Sequence, residues 1–285
     1  MPIVKRDTNW QALRGICIIA VVLIHCEHYV QWDGSVNSFI FYFYRNLINF
    51  PVAVFMFLSG YFANPEKFGG GTKQYYKDRI VRLIVPYCAW TIIYLIFRAT
   101  LIGNINLSFK TLLSAFLLGK AAAPFYYIIV LFYFTLATPY LVRYVRNITC
   151  SIGVLIFSLF FFLSYGLELM ETYCMLNVIK GQVIAYSQLR VSGFLYALSV
   201  ILTFLWLYRD RIPNYGIVQI GNNSYGIFYI HCLGILLAQK LSRLEHLSFV
   251  ASVLIEFLFA LGLSLIIIYC INKIGNKRLK GLFGI

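Results

Sequence analysis

The chain reads as long apolar runs broken by short polar interruptions, most of them basic. The runs fall at about 11–29, 39–62, 83–102, 124–142, 150–168, 191–208, 220–239 and 248–271. Each approaches the roughly 20 residues a helix needs to cross about 30 Å of hydrocarbon. The apolar piece Leu112–Leu118 is too short to cross, so 104–123 is read as an interfacial or re-entrant segment. The polar interruptions leave no room for a sizeable soluble domain. The pattern therefore predicts an all-α, polytopic transmembrane helix bundle of about eight spans, forming one membrane domain over 1–285.

Composition strengthens this picture. Hydrophobic residues make up 61% of the chain and charged residues only 12%, and mean hydropathy is +0.78, a balance soluble domains of this size do not have. The net charge of +14 does not imply nucleic acid, because the basic residues lie dispersed at helix ends. With eight spans and a cytoplasmic N-terminus, sixteen of the 24 Lys and Arg residues fall on the cytoplasmic side and eight on the other. That two-to-one bias follows the positive-inside rule and places both termini in the cytoplasm. A crossing by 110–123 would nearly erase it. The seven cysteines are scattered without a CxxC or Cys/His cluster, so neither a metal site nor a disulfide framework is indicated. The absence of an internal repeat gives no support to an inverted-repeat transporter.

Against this background the polar residues inside apolar runs stand out. Arg14 and His25 lie eleven residues apart in the first run. On a helix that is close to three turns, so both face the same way about 16 Å apart along the axis. Ionisable groups in lipid are expensive and mark functional sites by default. The bland alternatives are a snorkelling Arg14 and a packing or interfacial His25. Glu27 and His28 follow at the outer end, either tuning His25 or solvated. Arg79 and Arg82, three apart at a helix start with Lys77 and Lys73 nearby, form a candidate phosphate clamp; positive charge there is also what topology alone demands. His231 lies in the seventh run within Ser224-Tyr-Gly-Ile-Phe-Tyr-Ile-His231, either as part of a polar site or as a core histidine. Ser59-Gly60 closes the second run, most simply as a close packing point. Arg98 and Glu256 are near or within spans and are candidates to pair.

Taken in order, these motifs resemble the integral-membrane acyltransferase type 3 proteins, which O-acylate cell-surface glycans. The matching elements are Arg14-x10-His25, Phe55-Met-Phe-Leu-Ser59-Gly60-Tyr-Phe62, Arg79-x-x-Arg82-Leu-x-x-Pro86 and Ser224-Tyr-Gly-Ile-Phe-Tyr-Ile-His231. They cover the first 86 residues and about 220–240. Where the family often carries His-x-Trp-Tyr/Phe before the fourth span, this chain has Pro124-Phe-Tyr126-Tyr127. Family members commonly have more spans than eight, which widens the expected count to 8–10.

The resemblance implies a bacterial inner-membrane enzyme that takes an acyl group, most commonly acetyl, from cytoplasmic acetyl-CoA or another acyl-CoA. The acceptor it implies is a hydroxyl of an exported or surface glycan. His25 would be the general base and Arg14 would line the donor channel or hold its charge. Arg79, Arg82 and Lys77 would bind the donor's phosphates, and Ser59, Ser224 and His231 are further candidates for oxyanion or acceptor contacts. No metal is implied. Lipid, acyl-CoA, the glycan and envelope-polysaccharide assembly proteins are the expected partners, with nucleic acid excluded. Two other readings stay open: a transporter or flippase of a lipid-linked sugar or small anion, and a non-catalytic assembly subunit.

Overall fold

A computed structural model describes residues 3–26, 33–62, 71–102, 108–144, 191–208, 213–241 and 249–285. Regular structure among these residues is entirely helical. In chain order the helices are α1 (Ile3–His25), α2 (Val36–Leu47), α3 (Pro51–Tyr61), α4 (Gly71–Phe97), α5 (Phe109–Leu118) and α6 (Tyr126–Tyr144). After the fifth expected run, which lies outside the described residues, come α7 (Val191–Leu207), α8 (Tyr215–Asn222), α9 (Ser224–Leu241), α10 (Phe249–Ile274) and α11 (Lys277–Phe283). A π-helical turn, Arg98–Ile102, prolongs α4.

Four stretches among the described residues are long and apolar enough to cross a bilayer: Thr8–His25, Val36–Ser59, Tyr76–Thr100 and Phe249–Ile274. The second joins α2 and α3 across a short break at 48–50. A fifth arises if α5 and the start of α6 count as one span, bent by 56°. This is the segment whose short apolar run suggested a re-entrant or interfacial piece. The apolar part of α7, Ser192–Leu207, is shorter than a full crossing. The expected seventh run is divided at Asn223 between α8 and α9.

The chain forms two compact units, each drawing on both halves of the sequence. Unit 1 comprises Met1–Leu58, Thr149–Ser224 and Leu247–Leu254. Its centre is α1, whose Leu13, Cys17, Ile18 and Val22 are fully buried. Helix α8 crosses α1 backbone to backbone. A Cβ on Gly15 would collide with the Ile217 carbonyl and one on Gly221 with the Gln11 carbonyl, so only glycine permits this approach. Asn9 adds a side-chain bond to the Tyr208 carbonyl at 2.9 Å. Helix α2 begins at a capped turn. Ser35 accepts the Ser38 N–H, and Asp33 accepts the Ser35 N–H at 2.9 Å. The Ser35 contacts hold the Asp33 carboxyl down at about 2. At the other end of α2, Tyr196 of α7 donates to the Leu47 carbonyl at 3.0 Å, satisfying an acceptor the helix end leaves open.

Unit 2 comprises Ser59–Ile148, Tyr225–His246 and Ile255–Ile285. Its core is aromatic. Trp90 stacks on Tyr229 with centroids 6.2 Å apart, and Phe125 meets Tyr94 and Tyr229 edge-on at 5.2 and 5.6 Å. The last turn of α5 and the turn that follows it leave carbonyls open, and α4 supplies their partners. Tyr87 donates to the Ala115 and Phe116 carbonyls (3.0 and 2.8 Å), while Arg98 reaches those of Lys120 and Ala121 (both 3.4 Å). The backbone carbonyls of this turn are thus partners of Arg98, which sequence alone offered as a mate for Glu256.

Candidate functional site

Arg14 and His25 lie on one unbroken α-helix, so the spacing argument holds in three dimensions: one face, about 16 Å apart along the axis. Both side chains are half-buried. Helix α1 stops at His25, earlier than the apolar run to residue 29 suggested. The Cys26 N–H closes the last turn onto the carbonyls of Val22 and Leu23 at 3.1 and 3.2 Å. His25 therefore sits at a helix C-terminus, where the carbonyl ends place partial negative charge. Glu27 and His28 lie outside the described residues. One turn of α1 carries Arg14 beside Gly15, so the glycine crossing with α8 fixes the backbone on which Arg14 stands. In the sequence Gly221 stands three residues before the fourth motif. Its close approach to α1 is a long-range fact.

A second cation belongs to unit 1. Arg45, in the aromatic run of α2, is only 9% exposed, and its Nη1 donates to Asn49 Oδ1 at 3.3 Å across the break between α2 and α3. Asn46, also buried, donates to the Tyr42 carbonyl at 2.8 Å. Arg45 is one of the eight basic residues that the charge count puts on the non-cytoplasmic side. Its position inside an apolar span was the signal that marks it as more than that.

In unit 2, Lys77, Arg79 and Arg82 lie on the first turns of α4, with Lys77 and Arg82 exposed and Arg79 half-buried. The spacing Arg82…Pro86 has a physical consequence. Proline has no N–H, so the Arg82 carbonyl loses its normal donor four residues on. Tyr225 of α9 supplies one instead, its hydroxyl donating to the Arg82 carbonyl at 3.3 Å. That hydroxyl pairs in turn with the Tyr229 hydroxyl at 2.9 Å. Two of the motifs noted in sequence thus meet, through a tyrosine rather than through the charged residues.

His231 lies in the same unit and is fully enclosed. Its Nδ1 bonds the Ile227 carbonyl at 3.1 Å, and its Nε2 lies 3.3 Å from Cys232 Sγ. The neighbouring turn of α9 is opened by Tyr94, whose hydroxyl donates to the Tyr229 carbonyl (2.8 Å) and accepts the Leu233 N–H (3.0 Å). A side chain is thereby inserted into the helix ladder. These contacts fit the core-histidine reading. Ser59 is half-buried near the end of α3, and Ser224 is half-buried at the start of α9. Ser224 belongs to unit 1, as do Arg14 and His25; Ser59, Lys77, Arg79, Arg82 and His231 belong to unit 2. Among the described residues no group of His, Cys, Asp and Glu could hold a metal ion.

Comparison with known proteins gives these motifs a context. A family model described as an acyltransferase domain matches residues 7–173, a stretch containing Arg14, His25, Ser59, Lys77, Arg79 and Arg82. Nodulation protein NolL of Sinorhizobium fredii (strain NBRC 101917 / NGR234) is 29% identical over 86 residues, which is 30% of this chain and 24% of that protein. The chain thus matches about a quarter of that relative's length. No solved structure matches. With more than half its length matched by the model, the chain belongs to this acyltransferase family.

Proposed function

We propose that the protein is a multi-pass inner-membrane O-acyltransferase, moving an acyl group, acetyl by preference, from cytoplasmic acyl-CoA to a hydroxyl of an exported glycan. In this reading the bundle has about eight spans with both termini in the cytoplasm. The single observation that carries it is Arg14 and His25 on one face of an unbroken helix in a chain of this family. His25 in its neutral form takes the proton from the acceptor hydroxyl as that oxygen attacks the thioester carbonyl. The C–S bond then breaks, the thiolate leaves, and the imidazolium returns the proton, giving ester and free CoA. Arg14 supplies positive charge on the same face, and Arg79, Arg82 and Lys77 hold the donor's phosphates. Ser59, Ser224 and His231 are left with supporting roles in packing.

The test uses membranes containing wild-type protein, His25→Ala, or Arg79→Ala/Arg82→Ala, given acetyl-labelled acetyl-CoA and the native glycan. Wild type is expected to release CoA and label the glycan. His25→Ala should bind donor without transfer, and the double arginine variant should lose donor binding. Wild type that neither binds nor consumes acyl-CoA with acceptor present would overturn this reading in favour of a transporter or an assembly subunit.

A further inference from the structure

The chain's last helix meets the arginine pair's helix at a defined place. Helix α10 ends at Gly275, whose φ of +73° suits glycine and turns the chain sharply. Asn276 then caps α11 by accepting the N–H groups of Arg278 and Leu279 at 2.9 and 3.4 Å. At its far end α11 is fastened to α4 and α9. Trp90 Nε1 donates to the Phe283 carbonyl at 3.2 Å, and the Trp90 and Phe283 rings meet edge-on at 5.5 Å. Gly284 rests against the Tyr225 ring and the Pro86 ring, with room for little more than its own backbone. These are the same Tyr225 and Pro86 that flank the Arg82 carbonyl. The Ile285 N–H returns to the Lys280 carbonyl at 2.9 Å, closing the unit.

We infer that α11 forms the second half of the donor-phosphate site, with Lys277, Arg278 and Lys280 joining Arg79 and Arg82 around the phosphorylated nucleotide of acyl-CoA. The inference rests on acyl-CoA being the donor. Positive-inside topology asks for cations near a cytoplasmic helix end. It does not ask for a basic seven-residue helix to fold back and lock onto the proline and tyrosine that set Arg82. The α11 sequence Lys-Arg-Leu-Lys-Gly-Leu-Phe has three cations and no acid, and Lys277 and Arg278 are exposed while Lys280 is half-buried. The ligand chemistry matches. The CoA nucleotide carries a 3′-phosphate and a separate diphosphate, and one arginine pair engages one such group bidentately. A second cationic element beside it covers the other. Anionic lipid headgroups offer the same phosphate chemistry to a basic helix of this kind, so the experiment must separate the two sources.

The test compares wild type, Lys277→Gln/Arg278→Gln/Lys280→Gln and the charge-keeping Lys277→Arg/Lys280→Arg. Each is placed in nanodiscs of phosphatidylcholine alone or with phosphatidylglycerol, with acetyl-CoA, acetyl-dephospho-CoA and acetyl-pantetheine as probes. The triple variant is expected to bind acetyl-CoA roughly tenfold or more weakly in both lipids, with kcat unchanged at saturating donor. The arginine variant should bind as wild type does, and acetyl-pantetheine should bind all three alike. Unchanged acetyl-CoA affinity in the triple variant overturns the inference. So does a loss seen only in discs with phosphatidylglycerol, which assigns the helix to lipid. A triple variant that loses acetyl-CoA and acetyl-pantetheine binding equally, or melts at a lower temperature than the arginine variant, makes α11 a structural clasp instead. Wild type that binds no acyl-CoA fails the parent reading, an outcome distinct from all of these.

Discussion

In the proposed mechanism His25 is the general base, and its truncation gives the sharpest prediction at this scale. A positioned general base contributes roughly 10²–10⁴-fold, so His25→Ala should lower turnover by about that factor while donor affinity and melting temperature stay near wild type. Label transfer and donor binding, read on one membrane preparation, check it. Gly221 makes a prediction of the opposite kind. Its Cβ position is occupied by the Gln11 carbonyl, and neither backbone has a flexible end that can give way. Gly221→Ala should therefore cost about 1–3 kcal/mol as overpacking, visible as a lower melting temperature in detergent. Because the crossing lies one residue from Arg14, activity should fall with stability rather than survive it. Arg45 shows what single residues conceal. Its charge was visible in the sequence, but its bond to Asn49 across a helix break depends on where α2 ends, which the continuous apolar run 39–62 did not reveal.

Among elements, α4 and α9 are coupled by one missing N–H. Pro86 cannot donate to the Arg82 carbonyl, and the Tyr225 hydroxyl donates in its place. Tyr225→Phe should leave that carbonyl without a donor and cost about 1–3 kcal/mol. Pro86→Ala restores the helical donor, so the double variant Tyr225→Phe/Pro86→Ala should be less destabilised than the sum of the singles. A double-mutant cycle of melting free energies measures the coupling; additive costs would show that Tyr225 acts only through its ring. The elements themselves were largely legible. Apolar runs located α1, the α2–α3 stretch, α4, α6, α7 and α10, because in lipid the backbone bonds close within each helix and hydrophobic length alone marks the element. Their interruptions were not legible. The division at Asn223 and the break at 48–50 lie inside apolar sequence, and Tyr196, which satisfies the Leu47 carbonyl at the second of them, is 149 residues away. The candidate residues followed the same rule: the shared face of Arg14 and His25 was readable because it is helical and local, whereas the Arg82–Tyr225 meeting is not.

At the scale of the whole molecule, the path of the chain through the bilayer carries the last prediction. Four or five stretches among the described residues satisfy length and hydropathy, and the charge bias argues for about eight crossings with both ends on the cytoplasmic side. That arrangement places the loop at Asp33–Ser35 outside, and the start of α4 and the whole of α11 inside. Single cysteines at Gly34, Lys77 and Lys277, each exposed in the structure or free of nearby atoms, therefore make a discriminating set in a variant with the native cysteines replaced. In intact cells a membrane-impermeant maleimide should label position 34 and leave 77 and 277 untouched. After permeabilisation all three should react. Labelling of 277 but not 77 in intact cells would mean an odd number of crossings between them, and α11 would then lie across the membrane from the α4 turn that carries Arg82. Such a result contradicts the Trp90–Phe283 and Tyr225–Gly284 contacts as directly as it contradicts the charge rule. The experiment thus tests the topology and the docking of the last helix with one reagent.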